Sequence, residues 1–557
     1  MLPPRDNFDD LTRDFRWDIP ARFNIGVAAC DAWAGRDPGR AALIDYNGGE
    51  PVVHTYGALR DRSNRLANGL RRLGVERGDR VALLAPQGID ALAGQIAVYK
   101  LGAIAVPLAL LFGREALGFR LRFAGVKAVI ASAKGAETIS LVEGGLPELR
   151  WLIEAEASAA RPPVAQTWSR VALSDLIDGE SAAFDPVDTG PDDPALMIFT
   201  SGTTGPPKGA LHGHRVLPGH LPGFEMAYQF PPRPGDVMWT PADWAWAGGL
   251  LNALLPALTL GIAVAYGRFE RFSPQGALQL MADLKVTIAF LPPTALRMLK
   301  NSGQNPRDFA LSLRAVMSAG EQLGRDTYDW AQSVFGFAVN EFYGQTECNL
   351  VIGSCAILGV GRGGPIGRVA PGHRVAIVDA NGREVEPGVA GQIAVRRPDP
   401  VMFLGYWRDE AATTAKFTGD WMTTGDQGAM DADGYITFVG RDDDVITSAG
   451  YRIGPGEIED CLSAHPAVQI AAAVGKPDAV RTEIVKAYVV LRDGFEAGPA
   501  LAEEIRLWVR ERLSAHEYPR EVEFVDEVPL TTSGKVIRRF FRDKACAEAA
   551  LEAVSNA

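Results

Sequence analysis

The chain has 557 residues, 47% of them hydrophobic and 22% charged, with a formal net charge of −12. That length exceeds what one hydrophobic core fills, so at least two domains of ordinary soluble composition are expected. The acidity excludes binding that rests on neutralising nucleic-acid phosphates, and it suffices to keep an enzyme in solution.

Five cysteines (Cys30, Cys348, Cys355, Cys461, Cys546) are scattered and without CxxC spacing. They fit a reducing, cytoplasmic setting and argue against a disulfide framework or a cysteine-rich zinc site. The start MLPPRDNFDD has no basic or apolar region of a signal peptide, so none is expected. The apolar stretch Leu250 to Tyr266 is broken by Asn252, Pro256 and Gly261 and reads as a buried helix then a strand, not a membrane span. No long-period repeat is present.

From about Thr55 the pattern alternates. YGALRDRSNRLANGLRRLG predicts a helix, DRVALLAP a strand, DALAGQIAVYKLG a helix and AIAVPL a strand. The segments KAVIAS, VTIAFLPP and LRAVMSAGE continue it, so a mostly parallel α/β sheet architecture is expected. After about Gly353 the character changes. HRVAIVDANGREV reads as strand, Asn-Gly turn, strand, and GQIAVRR and GYITFVGR add more, predicting an antiparallel sheet or small β-barrel. DADG at Asp431 to Gly434 lacks the remaining calcium-loop residues and reads as a hairpin turn. A boundary at Asp442/Asp443 divides residues 1–442 from 443–557, a small α+β domain with a helix opened by Pro455 and another in ALAEEIRLWVRERL.

MIFTSGTTGPPKGALHGHR, from Met197 to Arg215, carries the first chemistry. An apolar strand runs into Thr200, Ser201, Gly202, Thr203, Thr204 and Gly205. Glycines let backbone N–H groups converge, hydroxyls add donors and Lys208 adds positive charge, a combination that cradles polyphosphate. It is not a Walker A loop, because Pro207 precedes Lys208 and Gly209 follows it. His212, His214 and His220 lack nearby carboxylate or cysteine ligands, so a loop flanking the phosphate site is expected rather than zinc.

TSGTTGPPKG resembles the signature loop of the adenylate-forming superfamily: acyl-CoA synthetases, peptide-synthetase adenylation domains and firefly-type luciferases. The resemblance runs in order along nearly the whole chain and is closest to medium-chain acyl-CoA synthetases, then acetyl-CoA synthetase. SAGE (with Gly320 and Glu321) and EFYGQTE (Glu341, Phe342, Tyr343, Gly344, Gln345, Thr346, Glu347) resemble its ATP-site motifs. TTGD resembles its ribose-binding motif, placing Asp426. GRDDDVITSAGYRIGPGEIE resembles its hinge and CoA-tunnel motif, placing Arg441 in the ATP site, the hinge at Asp443 and Ala449, Gly450, Tyr451 and Arg452 at the thioester face. PLTTSGKVIRR resembles the loop of the catalytic lysine, Lys535; read alone, this would be a solvated lysine beside Arg538 and Arg539. The resemblance also places Arg481, Arg510, Tyr518, Pro519 and Arg520 against the CoA nucleotide, where guanidinium forks suit phosphates.

What it implies is a two-step ligase. A carboxylate attacks the α-phosphate of ATP and pyrophosphate leaves; a thiol, CoA here, then attacks the acyl-adenylate and AMP leaves. Lys208, Lys535 and Mg²⁺ neutralise crowded anions in the first step, with Glu347 as metal ligand and Thr346 as phosphate donor. Asp426 can accept both ribose hydroxyls. The C-terminal domain rotates between steps. ATP, CoA and a small carboxylic acid are the expected partners. A lysine acetyltransferase or deacetylase acting on Lys535 is a corollary, since acetylation removes the charge.

Departures from the family pattern are Leu530 for a usual lysine, Ala245 for a glycine in DWAW, and Thr482 after Arg481. Gly344 stands where acetyl-CoA synthetases resemble WWQTE with a pocket-closing tryptophan. Trp244, Trp246 and Gly344 are therefore expected to shape an acyl pocket for acids from about butyrate to octanoate, branched short-chain or aryl acids. The alternative for Gly344 is relief of backbone strain. Rival readings are a benzoate-like aryl-CoA ligase, an adenylating enzyme that loads a carrier protein, an oxygenase, and a non-enzymatic adenylate sensor.

Overall fold

The computed structural model describes residues 2–3, 5–156, 167–200, 206–267, 269, 272–442, 444–448, 451–478, 481–513, 518–530 and 536–555, without the side chains of 451, 452 and 552–555.

Two large sheets carry the region before Asp442. The first has nine strands, ordered Arg368–Val369, Asn349–Gly353, Asn340–Gln345, Ala315–Ala319, Ile288–Phe290, Val237–Trp239, Ala263–Gly267, Ala41–Tyr46, Val52–Thr55. Its interior neighbours are parallel, and the edges turn antiparallel. The second has eight, ordered Gly405–Tyr406, Lys208–Gly213, Pro194–Thr200, Ile104–Pro107, Arg80–Leu84, Val126–Ala131, Trp151–Glu154, Ser169–Ala172. Strands such as Arg80–Leu84 are buried from Val81 onward on both faces, which is why they read as unbroken apolar runs. The helix Tyr56–Arg72 starts where the Thr55 hydroxyl accepts from the Ala58 N–H, and it buries Leu59, Leu66 and Leu70 at helical spacing.

A curled antiparallel sheet of five strands forms a half-barrel: Val375–Val378, Gly391–Arg396, Trp421–Met430, Phe417–Thr418, with Ile436–Arg441 on Trp421–Met430. The Asn-Gly hairpin is shorter than its sequence predicts. Its second arm is a single bridge, Val378 to Glu384, because the Asp379 carboxylate takes the Asn381 and Arg383 N–H groups and holds a turn instead. DADG is a hairpin turn: Asp431 Oδ1 accepts from the N–H groups of Asp433 and Tyr435.

The C-terminal region has its own sheet, Tyr451–Ile453, Ile446–Ser448, Thr482–Leu491, Val468–Asp478, with Glu521–Phe524 parallel to Thr482–Leu491. Ile458, Leu462, Ile505 and Val509 pack helices Pro455–Ser463 and Pro499–Arg512 onto it. The first of these helices docks tightly on the rest of the chain. A Cβ on Gly454 would lie 1.8 Å from the Val439 carbonyl oxygen, so only glycine permits that approach. Among the described residues no helix is long and apolar enough to cross a membrane. All five cysteines are unpaired.

Candidate active site

Strand pairing assembles the phosphate end. Thr200 and Lys208 are Cα partners at the tip of the hairpin Pro194–Thr200/Lys208–Gly213. The loop between them holds Ser201, Gly202, Thr203, Thr204 and Gly205, which lie outside the described residues. Gly405–Tyr406 adds to the same sheet, Tyr406 opposite Ala210. This puts the Lys208 ammonium 5.1 Å from the Tyr406 ring centroid. The Tyr406 hydroxyl donates to Glu347 Oε1 at 2.6 Å, and the Phe403 N–H donates to the Glu347 carbonyl at 2.8 Å. Burial and the Glu347 carboxylate push the Tyr406 phenol up, so it remains a donor. Glu347, 7% exposed, is thus fixed at one oxygen and offers the other, with the Thr346 hydroxyl beside it in sequence. That set suits a hard cation sharing oxygens with substrate phosphates. Among the described residues no group of three His, Cys, Asp or Glu gathers that could hold a metal by protein ligands alone.

Asp426 projects from Trp421–Met430 toward the end of Asn340–Gln345. Its Oδ2 accepts from the Tyr343 hydroxyl and the Gln345 amide, both at 2.6 Å, and its Oδ1 lies 3.8 Å from Arg441 Nη1. Oδ2 carries both hydrogen bonds, so Oδ1 is the oxygen with acceptor capacity left for hydroxyl donors. Burial pushes the carboxyl up, opposed by Arg441 and the two hydrogen bonds. Gly320, at φ +98, has open space on its side-chain face. Glu321 accepts from the Thr294 hydroxyl at 2.9 Å and pairs with Arg297. Glu341 is buried, accepts from the Leu323 N–H at 3.2 Å, and is pushed up to about 8 by desolvation.

Other expected site residues stand differently. The Phe342 side chain is core, 2% exposed against Gly353, so only its backbone can face a ligand. Gly344 opens no acyl volume. A Cβ there would lie 1.2 Å from the Asn349 carbonyl oxygen, because the pairing of Asn340–Gln345 with Asn349–Gly353 shifts register at this point. Glycine is required there by the close approach of the Asn349 backbone and not by backbone strain, since Gly344 has no left-handed φ, and the pocket-wall expectation is corrected. Trp244 is buried in the core, edge-on to Tyr266 at 5.9 Å. Trp246 is partly exposed, edge-on to Phe112 at 5.7 Å, and is the tryptophan available as a wall. The histidines flank the phosphate loop in sequence but are not on a loop: His212 lies in the strand Lys208–Gly213, His214 just past it and His220 in the helix Val216–Ala227. All three are buried, and desolvation lowers them to about 4, 4 and 3, keeping them neutral.

On the C-terminal sheet, Ser448 pairs with Thr482, so the Tyr451–Ile453 hairpin sits at the Arg481 end. The Arg481 N–H donates to Asp478 at 2.8 Å. Arg510 and Arg520 lie 5.5 and 4.8 Å from the Tyr518 ring centroid. Arg506, which the sequence reading missed, is 5.9 Å from the same ring and donates to the Pro519 carbonyl at 3.2 Å. Its helical spacing from Arg510 was the available signal. Tyr406 was missed too, because nothing in its sequence between the strands Gly391–Arg396 and Phe417–Thr418 marks it as the partner of Glu347. Asp443, Ala449, Gly450 and Lys535 lie outside the described residues, as do the side chains of Tyr451 and Arg452.

Known proteins match this arrangement end to end. The family model described as "AMP-binding enzyme" matches residues 30–407, and "AMP-binding enzyme C-terminal domain" matches residues 457–535. The acetyl-coenzyme A synthetase of Bacillus subtilis is 33% identical over 96% of this chain and 94% of its own. The crystal structure of a Brucella canis acyl-CoA synthetase superposes with a TM-score of 0.74 at 34% identity, covering 97% of this chain and 99% of that one. A benzoate CoA ligase from Burkholderia xenovorans superposes with a TM-score of 0.80 at 27% identity, covering 93% and 100%. The chain therefore belongs to the AMP-binding enzyme family, as an AMP-forming acid–thiol ligase.

Proposed function

We propose that this enzyme joins an apolar carboxylic acid, medium-chain or branched short-chain, to CoA through an acyl-adenylate. The observation that carries the adenylate chemistry is the meeting of Lys208, Tyr406 and Glu347 at one hairpin tip, with Asp426 held for ribose nearby; the choice of acid rests on the resemblance to medium-chain acyl-CoA synthetases. In the first half-reaction Lys208 meets the triphosphate, Thr346 donates to a phosphate oxygen and Asp426 Oδ1 accepts from the ribose. Lys535 is assigned to the carboxylate and the α-phosphate. Mg²⁺, when bound with ATP, neutralises phosphate charge beside Glu347.

Asp443 is assigned as the pivot between residues 1–442 and 443–557. Rotation there exchanges the Lys535 loop for the face bearing Ala449, Gly450, Tyr451 and Arg452. Arg481, Arg510, Tyr518, Pro519 and Arg520 are assigned to the CoA nucleotide, with Arg506 added. Acetylation of Lys535 by a lysine acetyltransferase would remove its charge and stop the first step. A cytoplasmic setting suits the free thiols.

A second reading, an aryl acid, is favoured by the Phe112–Trp246 edge-to-face pair, which suits an aromatic ring. AMP release across linear, branched and aryl carboxylates, with and without CoA, decides between them. Acetate as the best substrate overturns both. CoA-independent turnover with a carrier protein moves the enzyme to the carrier-loading class.

A further inference from the structure

Arg538, three residues beyond Lys535 in sequence, is not solvated but largely buried. Its guanidinium grips two carboxylates from separate parts of the C-terminal region. Arg538 Nε donates to Glu459 Oε1 at 2.7 Å and Nη2 to Glu459 Oε2, while Nη1 donates to Asp444 Oδ2 at 3.3 Å. One helical turn on, Arg542 Nη2 donates to Asp444 Oδ1 at 2.6 Å. Glu459 also accepts from the Ala473 N–H at 2.9 Å, which ties the cluster to the edge strand Val468–Asp478. The two carboxylate side chains are 11% and 12% exposed, so these contacts are shielded from water.

The cluster stands between two places the reaction needs. Behind it, the Ile537 N–H donates to the Pro529 carbonyl at 2.9 Å, and Leu530 bridges to Val536. Those bonds close the base of the loop that carries Lys535. Ahead of it lies Asp444, the residue after the assigned pivot. Asp442, the residue before, belongs to the other body: its N–H donates to the Gly425 carbonyl at 2.9 Å, and Gln427 donates to its side chain.

We propose that Arg538 is a positioning residue for Lys535, coupling the base of the lysine's loop to the C-terminal side of the pivot through Asp444. The proposal rests on the reading of Lys535 and Asp443 given above. A planar fork held by two carboxylates fixes direction as well as distance, which a lysine's point charge does not. The direction set at Asp444 is thereby carried to Ile537 and Val536 at the base of that loop. An error of about 1 Å at a reacting group costs about 100-fold in rate.

The test uses the full-length protein with Asp444→Asn, Arg538→Lys and, as a control on an exposed neighbour, Arg539→Ala. Asp444→Asn leaves the Arg538–Glu459 fork in place, so the domain stays folded. Three quantities are read: ATP–pyrophosphate exchange, thioester formation from supplied acyl-adenylate, and amide hydrogen exchange. For Asp444→Asn, pyrophosphate exchange is expected to fall about tenfold, and for Arg538→Lys about 100-fold, with the thioester step largely kept. Amide exchange in 529–537 and 441–446 is expected to speed up together in both variants, and Arg539→Ala to behave as wild type. Equal loss of both half-reactions, or faster exchange in one segment alone, overturns the coupling. If the wild type forms no adenylate with any acid, the functional reading fails, and the exchange measurement still decides whether the two segments are tied.

Discussion

The Tyr406 hydroxyl holds Glu347 Oε1 at 2.6 Å, across 59 residues of chain. A single hydrogen bond from a phenol that stays protonated sets which carboxylate oxygen is left for a cation. Removing such an outer partner costs about 10- to 100-fold in metal affinity in known sites. Tyr406→Phe is therefore expected to raise the Mg²⁺ concentration for half-maximal pyrophosphate exchange by about tenfold, with little change in thermal stability. An unchanged Mg²⁺ titration would show that Glu347 is oriented by the backbone alone.

The two half-reactions separate the assigned lysine from the assigned pivot. Lys535→Ala is expected to abolish adenylate formation and keep thioester formation from supplied acyl-adenylate. Asp443→Pro is expected to do the reverse, because proline fixes φ and blocks the rotation that presents the second face. Purified variants assayed in both directions check the pair. Asp443→Pro with a wild-type overall rate would place the pivot elsewhere.

Gly344→Ala tests the corrected role of this glycine. Its Cβ would meet the Asn349 carbonyl oxygen at 1.2 Å, and both strands would have to part. The expected loss is about 3 kcal/mol or more in a denaturant titration, beyond ordinary overpacking. A folded variant of unchanged midpoint and altered acid preference would restore the pocket-wall view.

Glu341 makes stability depend on pH. Its carboxyl ordinarily titrates near 4.5 and in the folded chain is pushed up to about 8 by desolvation. Between those values the folded chain holds a proton that the unfolded chain has released. The contribution is complete below 4.5 and is lost as pH rises through about 8. His212, His214 and His220, held neutral by burial, make stability rise with pH up to about 6.5, so Glu341→Gln is expected to flatten the fall of melting temperature between about 6.5 and 8. A variant as pH-sensitive as the wild type would mean that Glu341 is ionised when folded.

Sequence alone determined the helix–strand alternation from Thr55 to Leu108, because buried parallel strands and amphipathic helices write their periods directly into the chain, as DRVALLAP and the Tyr56–Arg72 helix do. It also offered the candidate phosphate loop, Asp426 and Glu347, since a contiguous motif needs no partner to be read. What tertiary structure decided were relationships between distant residues. Tyr406 on Glu347, Arg538 on Asp444 and Tyr343 on Asp426 each join segments that carry no mark of one another. It decided Gly344 as well. Only the register shift against Asn349 shows that the absent side chain makes room for a neighbouring strand rather than for a substrate. A motif records which atoms are present, and the direction in which a Cβ points is fixed by strand pairing.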